Sequence, residues 1–226
     1  MIEPLVVCRQ LGRDFPDGSG PRVPVLHDVD CEILPGARIG LVGPSGSGKT
    51  TLLHIFGGLD CPTSGAIEWP ALGSRERLRP RQVGIVFQSP SLFPSLTAIQ
   101  NVELPRLLAG EKADPRASLA LLAAFGLGDV ANKLPEELSG GQAQRVAMAR
   151  ALALGPRLVL ADEPTGQLDS LTAQHVLDAV LERLEGTSTA LIVATHDETV
   201  AARMAKRWSM DHGRLTRDQS VMEVAS

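Results

Sequence analysis

Ala37-Arg38-Ile39-Gly40-Leu41-Val42-Gly43-Pro44-Ser45-Gly46-Ser47-Gly48-Lys49-Thr50-Thr51 is the stretch from which the fold of this chain is read. The apolar run Ala37 to Val42 reads as a buried strand that passes without a spacer into a glycine-rich loop. A helix is expected from Lys49 to about Phe56, so the order is strand, loop, helix. Residues Gly43, Pro44, Ser45, Gly46, Ser47, Gly48, Lys49 and Thr50 match a phosphate-loop pattern. In that pattern glycines let backbone N–H groups approach phosphate oxygens, and the following helix points its positive dipole end at them. Lys49 is expected to reach the terminal phosphates and Thr50 to place its hydroxyl on Mg²⁺, with Thr51 beside it among the phosphate-binding residues. A bare glycine-rich turn would need neither the strand before nor the helix after.

Outward from this stretch, Val83 to Phe87, Leu158 to Ala161 and Ala190 to Ala194 are further apolar runs. They suit a parallel sheet covered on both faces. Leu5-Val6-Val7-Cys8 reads as an edge strand. Between Gln88 and Leu138 the pattern turns helical, with Asp114-Pro115 opening a helix that Gly126 and Gly128 punctuate. Val176, Leu177, Val180, Leu181 and Leu184 recur at helical spacing after Asp169-Ser170, giving an amphipathic helix that packs on the sheet. Asp17 to Pro21 reads as a flexible turn.

With 226 residues, 43% of them hydrophobic, the chain can bury a substantial core as one globular unit with room for an inserted subdomain. A net charge of −4 and a pI near 5.7 argue against broad nucleic-acid binding, which needs many Lys and Arg contacts to phosphates. No apolar run approaches the roughly 18 to 20 residues that cross a bilayer. The opening Met1-Ile2-Glu3-Pro4 lacks the basic-then-apolar form of a signal peptide. The chain is therefore expected in the cytosol, reaching a membrane only through a partner. Cys8, Cys31 and Cys61 are odd in number and widely spaced, which speaks against a disulfide framework or zinc site and for small apolar residues.

Two further stretches carry chemistry. Asp162 and Glu163 end an apolar run, where adjacent acids are costly unless solvated or given a cation. The phosphate loop brings the missing Mg²⁺: Asp162 is expected to hold it through water and Glu163 to act as the general base on an attacking water. Ser139, followed by Gly140, Gly141 and Gln142, reads as the N-cap of a helix running through Gln144, Val146, Ala147 and Ala151, which creates a second anion site. Taken alone, Ser-Gly-Gly is a plain turn.

Leu138-Ser139-Gly140-Gly141-Gln142 lies between the phosphate loop and the acid pair, and the three together resemble the ATPase subunit of ABC transporters. The resemblance implies an α/β phosphate-loop NTPase fold with a mainly parallel sheet core, an N-terminal antiparallel β part and an inserted helical subdomain. It places that subdomain at residues 89–142 and the core at 1–88 and 143–226. It implies ATP with Mg²⁺ as the bound pair, and a head-to-tail homodimer in which LSGGQ of one copy closes on ATP held by the other. Gln88 resembles the glutamine that contacts Mg²⁺ and water and reports nucleotide state to the helical subdomain. Leu168-Asp169 resembles the loop that crosses the dimer interface, although Asp169 also reads as a helix N-cap. His196, after Ala194-Thr195, resembles the histidine that contacts the γ-phosphate and orients the water, whereas His27, His54, His175 and His212 read as structural. Phe15 stands where the family usually carries a tyrosine stacked on adenine, and a core role fits it as well.

Within the family, Glu163 to Asp169 and the stretch from Phe87-Gln88 to Leu104-Pro105 are similar to the lipoprotein-releasing and macrolide-exporter branch. That likeness implies a separate membrane permease docking beside Gln88 to Pro105, and a peripheral place on the cytoplasmic face of the membrane. Two alternatives stay open at this point: a division-type regulatory ATPase that signals through a membrane partner to a cell-wall hydrolase, and a soluble ATPase acting on DNA or ribosomes. The second is disfavoured by the lack of a long coiled coil or basic stripe.

Overall fold

The computed structural model describes residues 2–18, 20–166 and 168–218. Ser19, from the expected turn, and Gln167, from the acid-pair stretch, lie outside the described residues. Two sheets organise the rest. In the smaller one, β1 (Val6–Phe15) runs between β2 (Val23–Ile33) and β4 (Ser64–Glu68), antiparallel to both. The segment expected at an edge is thus central. Val7 and Cys8 pair with Glu32 and Cys31 on one side and with Glu68 and Ile67 on the other. A short apolar run looks the same in either position, because the neighbour that decides it lies far along the chain.

The larger sheet has the order β5-β6-β7-β3-β8-β9. Its strands are β3 (Arg38–Val42), β5 (Val83–Val86), β6 (Leu158–Asp162), β7 (Ala190–Thr195), β8 (Lys206–Asp211) and β9 (Arg214–Asp218). All pairings are parallel except the closing β8–β9 hairpin. Both faces are covered, which explains the unbroken apolar runs. Leu158, Leu160, Ala190, Ile192 and Ala194 point to a core shared with α1 (Lys49–Phe56) and the small sheet. Val159, Ala161, Leu191 and Val193 alternate to the opposite side. There they meet α4 (Gly140–Leu152), α5 (Ser170–Leu184) and the short α6 (Glu198–Ala201). Fully burying Leu52, Ile55 and Phe56 of α1 stabilises the fold by about 1.5–3 kcal/mol for each side chain.

The helical stretch holds α2 (Ala98–Leu108) and α3 (Pro115–Ala124). Asp114 caps α3 as its sequence foretells, accepting from the Ala117 N–H at 3.0 Å. Thr97 and Gln100 close a capping box at the start of α2. Helix α4 then runs unbroken from Gly140 to Leu152 and crosses β5 very closely: a Cβ on Gly84 would stand 2.1 Å from the Ala151 carbonyl oxygen. Only glycine permits that approach. Of the cysteines, Cys8 and Cys31 are buried, while Cys61 is exposed and its sulfur accepts from Arg75 Nη1 at 2.6 Å.

Candidate functional site

Parallel strands present all their carboxyl ends on one side, where ligands of such sheets bind. Here β3 ends in the glycine loop, β6 in Asp162-Glu163, β7 in Thr195-His196, and Gln88 follows shortly after β5. They enclose a cavity of about 730 Å³ whose walls include residues 45–51, Gln88, Asp162, Glu163 and His196. Val25 of β2 and Gly166 complete it. Neither was among the sequence candidates, since an apolar strand residue and a lone loop glycine carry no chemical mark.

The glycine loop is built to leave donors free. Gly46 and Gly48 have φ of 77° and 105°, the left-handed region that glycine adopts without cost. Gly48 is the N-cap of α1 and offers no side-chain cap, and the first turn of α1 holds no acid. Its leading N–H groups and positive dipole end therefore face the cavity without a side-chain partner. Lys49, 7% exposed, donates from Nζ to the carbonyl oxygens of Gly43 and Pro44 at 2.7 and 3.0 Å, so its ammonium lies across the loop. Ser47 Oγ is buried without a hydrogen-bond partner. A Cβ on Gly43 would stand 2.1 Å from the Met210 carbonyl oxygen, so this position admits only glycine.

Across the cavity, Thr50 Oγ1 donates to Asp162 Oδ2 at 2.6 Å. Burial pushes the Asp162 carboxyl above the usual carboxylate range; the Thr50 hydroxyl opposes that, and the Glu163 charge adds to it. A hydroxyl and a partly desolvated carboxylate are hard oxygen donors, and with Gln88 in the same walls they suit a hard divalent cation. Glu163 stands in the left-handed region at φ 45°, uncommon for a residue with a Cβ. Its N–H donates to the Ala194 carbonyl at 2.8 Å, and its Oε1 lies 2.9 Å from His196 Nδ1. Backbone strain of about 1–3 kcal/mol is characteristic of sites whose side chains are held in fixed positions. Here it aims a carboxylate at the cavity beside an exposed imidazole.

The remaining sequence candidates lie elsewhere. Ser139 and Gln142 form a capping box on α4: the Gln142 N–H donates to Ser139 Oγ at 3.2 Å, and the Ser139 N–H to Gln142 Oε1 at 2.9 Å. Gly140 and Gly141 open the same helix, and a Cβ on Gly141 would stand 2.9 Å from Leu168 Cδ2. Asp169 caps α5, its Oδ1 accepting from the Thr172 N–H at 3.0 Å and its Oδ2 from the Thr172 hydroxyl at 2.6 Å. Phe15 is half-buried beneath the Arg13 guanidinium, 4.3 Å from its ring centroid. None of these six residues walls the cavity.

A second cavity of about 510 Å³ opens between β5, α2 and α4. Phe87, Phe93, Leu104, Pro105 and Leu108 give it an apolar lining. Phe93 and Leu108 are largely exposed.

The sequence model of the ABC transporter family matches residues 26–166. The lipoprotein-releasing system ATP-binding protein LolD of Legionella pneumophila strain Paris is 44% identical over 225 residues, covering 95% of this chain and 98% of its own. The LolD of strain Lens is 43% identical over 224 residues, with the same coverage. Among solved structures, the dimeric ATP-binding cassette MJ0796 bound to ADP and phosphate superposes with a TM-score of 0.88 at 34% identity, covering 97% of this chain and all of the other. CbiO1 of Clostridium perfringens, part of the cbiONQ transporter complex, gives a TM-score of 0.78 at 28% identity, over 95% of this chain and 87% of its own. With its phosphate loop, its acid pair and these relatives, the chain belongs to the ABC transporter family and is one of its ATP-hydrolysing cassettes.

Proposed function

We propose that this cassette drives a membrane permease in the release of lipoproteins, a reading supported by relatives that bear the name lipoprotein-releasing system ATP-binding protein. The observation that carries the reading is the division of the site. Lys49, Thr50, Asp162, Glu163, Gln88 and His196 gather round one cavity, while Ser139 to Gln142 stand on a helix start outside it. A second copy, turned head to tail, would bring its Ser139-Gly140-Gly141 to the γ-phosphate; that MJ0796 is dimeric supports the pairing of two copies. ATP then acts as the adhesive between two faces, because ADP leaves the second anion site without its ligand. In this arrangement 89–142 acts as the helical subdomain, and 1–88 with 143–226 as the core.

Thr50 and Asp162 would hold Mg²⁺, with Gln88 contacting it; the ion, when bound, neutralises charge that develops on the transferring phosphoryl group. Lys49 and the loop N–H groups grip the β- and γ-phosphates. Glu163 takes the proton of the attacking water, and His196, against Glu163 Oε1, orients that water beside the γ-phosphate. Phe15, with Arg13 over one face of its ring, would offer the other face to adenine, and Asp169 contributes at the dimer interface.

The apolar cavity beside Gln88 to Pro105 is the seat for the permease, whose docking segment would cover Phe93 and Leu108. Among the described residues no helix is long and apolar enough to cross a membrane; docking on the permease would make the chain a peripheral subunit on the cytoplasmic face. The test is Mg²⁺-ATPase activity with and without the membrane protein encoded beside it, using Glu163→Gln as the blank. Stimulation by that protein is expected; robust turnover indifferent to every membrane partner would overturn the reading in favour of a soluble ATPase.

A further inference from the structure

Helix α4 carries a polar residue where its buried face should be apolar. Gln144 is 1% exposed, among Val146, Ala147 and Met148. Its Nε2 donates to the Phe87 carbonyl at 3.2 Å, while its Oε1 is buried with no hydrogen-bond partner. Leucine would fill a similar volume and remove the unpaired Oε1, but it would leave the Phe87 carbonyl without this donor, so the amide serves the Phe87 bond rather than packing. Six residues further along the same helix, Arg150 donates from Nη1 to the Ser91 carbonyl at 2.8 Å and from Nη2 to the Pro90 carbonyl at 3.1 Å. The carbonyls on both flanks of Gln88 are therefore held by one helix. That helix begins at Ser139 and is seated on β5 through the bare backbone of Gly84. The Phe87 ring, in turn, meets His54 of α1 edge-on at 5.9 Å between centroids.

We propose that Gln144 and Arg150 are positioning residues: they clasp the two flanks of Gln88 to α4, so that displacement of the Ser139 end of this helix moves Gln88 within the nucleotide cavity. The inference rests on the role proposed above for Gln88. A continuous hydrogen-bonded helix moves as a body, and a donor gripping a backbone carbonyl transmits that movement without needing a contact to nucleotide. The lone acceptor of Gln144 adds nothing to the grip, which belongs to its donor. Its isostere Gln144→Glu, losing the donor, should therefore fail as Gln144→Leu does.

The experiment is a double-mutant cycle on the purified chain. Gln88→Ala and Gln144→Leu are each expected to lower kcat about tenfold, a size ordinary for coupled neighbours. KM for ATP should stay unchanged, since the phosphate loop is untouched, and the melting temperature without nucleotide should fall by no more than one lost hydrogen bond accounts for, because the stranded Oε1 is removed with it. The double variant should be no slower than Gln88→Ala alone. Arg150→Lys, paired with Gln88→Ala in the same way, supplies a second cycle should Gln144→Leu fold poorly. Hydrogen exchange gives an independent readout: ATP-dependent protection of 87–91 should vanish in Gln144→Leu while that of 139–145 persists. Multiplying losses in the double variants, or full activity in Gln144→Leu, would overturn the clasp while leaving Gln88 in its role. A silent Gln88→Ala would overturn the role of Gln88 itself, and the clasp with it.

Discussion

Thr50 Oγ1 donates to Asp162 Oδ2 at 2.6 Å, joining the first turn of α1 to the end of β6 across 112 positions of chain. The bond fixes a hydroxyl and a carboxylate as one oxygen pair, and burial holds that carboxyl above its usual range. Asp162→Asn preserves an acceptor for Thr50 but removes the charge a divalent cation needs. We expect Mg²⁺-dependent phosphate release to fall by about a hundredfold or more, the scale of losing one electrostatic stabiliser. Thermal unfolding should move little. Chelation of Mg²⁺ should abolish turnover of the unsubstituted protein, and hydrolysis surviving it would remove the metal from the scheme.

Glu163 lies at φ 45° with its N–H tied to Ala194, so its carboxylate is aimed by backbone on both sides. Glu163→Gln keeps shape and hydrogen bonding but not basicity. Turnover should drop by about 10³-fold, within the range for a lost general base. ATP should then hold two copies together, visible as a dimer by sedimentation that ADP does not support. Turnover near the original rate would move the base elsewhere.

Ser139 has a structural task and a proposed ligand task, and two substitutions separate them. Ser139→Ala removes the cap, costing about 1 kcal/mol of stability, and should also prevent ATP-dependent pairing. Ser139→Asp retains the cap yet sets a negative charge where a γ-phosphate is to bind, so the melting temperature should hold while the dimer is lost. If the aspartate variant still dimerises with ATP, the helix start is only a cap.

Gly84 and Gly155 make a matched pair of glycines. A Cβ at Gly84 meets the Ala151 carbonyl at 2.1 Å, whereas at Gly155 nothing lies within 4 Å and the cost is only that of φ 59°. Gly84→Ala must push α4 off β5, and overpacking of this kind costs about 1–3 kcal/mol or more; Gly155→Ala should cost about 1 kcal/mol. Denaturant titration of the two would show equal losses only if α4 can shift freely.

Four surface carboxylates, Glu76 among them, give the protein an acid limit. Asp169 is lowered by the Thr172 hydroxyl and then its N–H, Asp197 by the Thr199 hydroxyl and then its N–H, and Glu198 by hydrogen bonding to Arg207. Each binds its proton less tightly folded than unfolded. Their stabilisation is complete above the unfolded values, near about 4, and is lost as pH falls through the lower folded ones. The melting temperature should therefore fall progressively on acidification below that range, and less steeply in Asp197→Asn. An identical slope in that variant would exclude Asp197 as a contributor.

Much of the site was legible because its chemistry is written in consecutive residues. A strand entering a glycine loop, an uncapped helix start with Lys49 and Thr50, and acids closing an apolar run each need only local sequence. Gln88 and His196 were located through family resemblance and stand in the cavity walls, whereas Phe15 does not. Gln144 left one signal, a polar residue within a helical set otherwise made of Val146, Ala147 and Ala151. Its partner, the Phe87 carbonyl, bears no sequence mark at all.

The sequence by itself determined the local elements, their caps and which residue types could meet phosphate, since these follow from spacing, side-chain chemistry and backbone permissiveness over a few residues. Only the tertiary structure decided that β1 is central rather than an edge, that Val25 closes the cavity, that α4 grips both flanks of Gln88, and that Ser139 stands apart from the phosphate loop. Those outcomes depend on pairings between residues tens of positions apart, which burial of both sheet faces selects and no local pattern encodes.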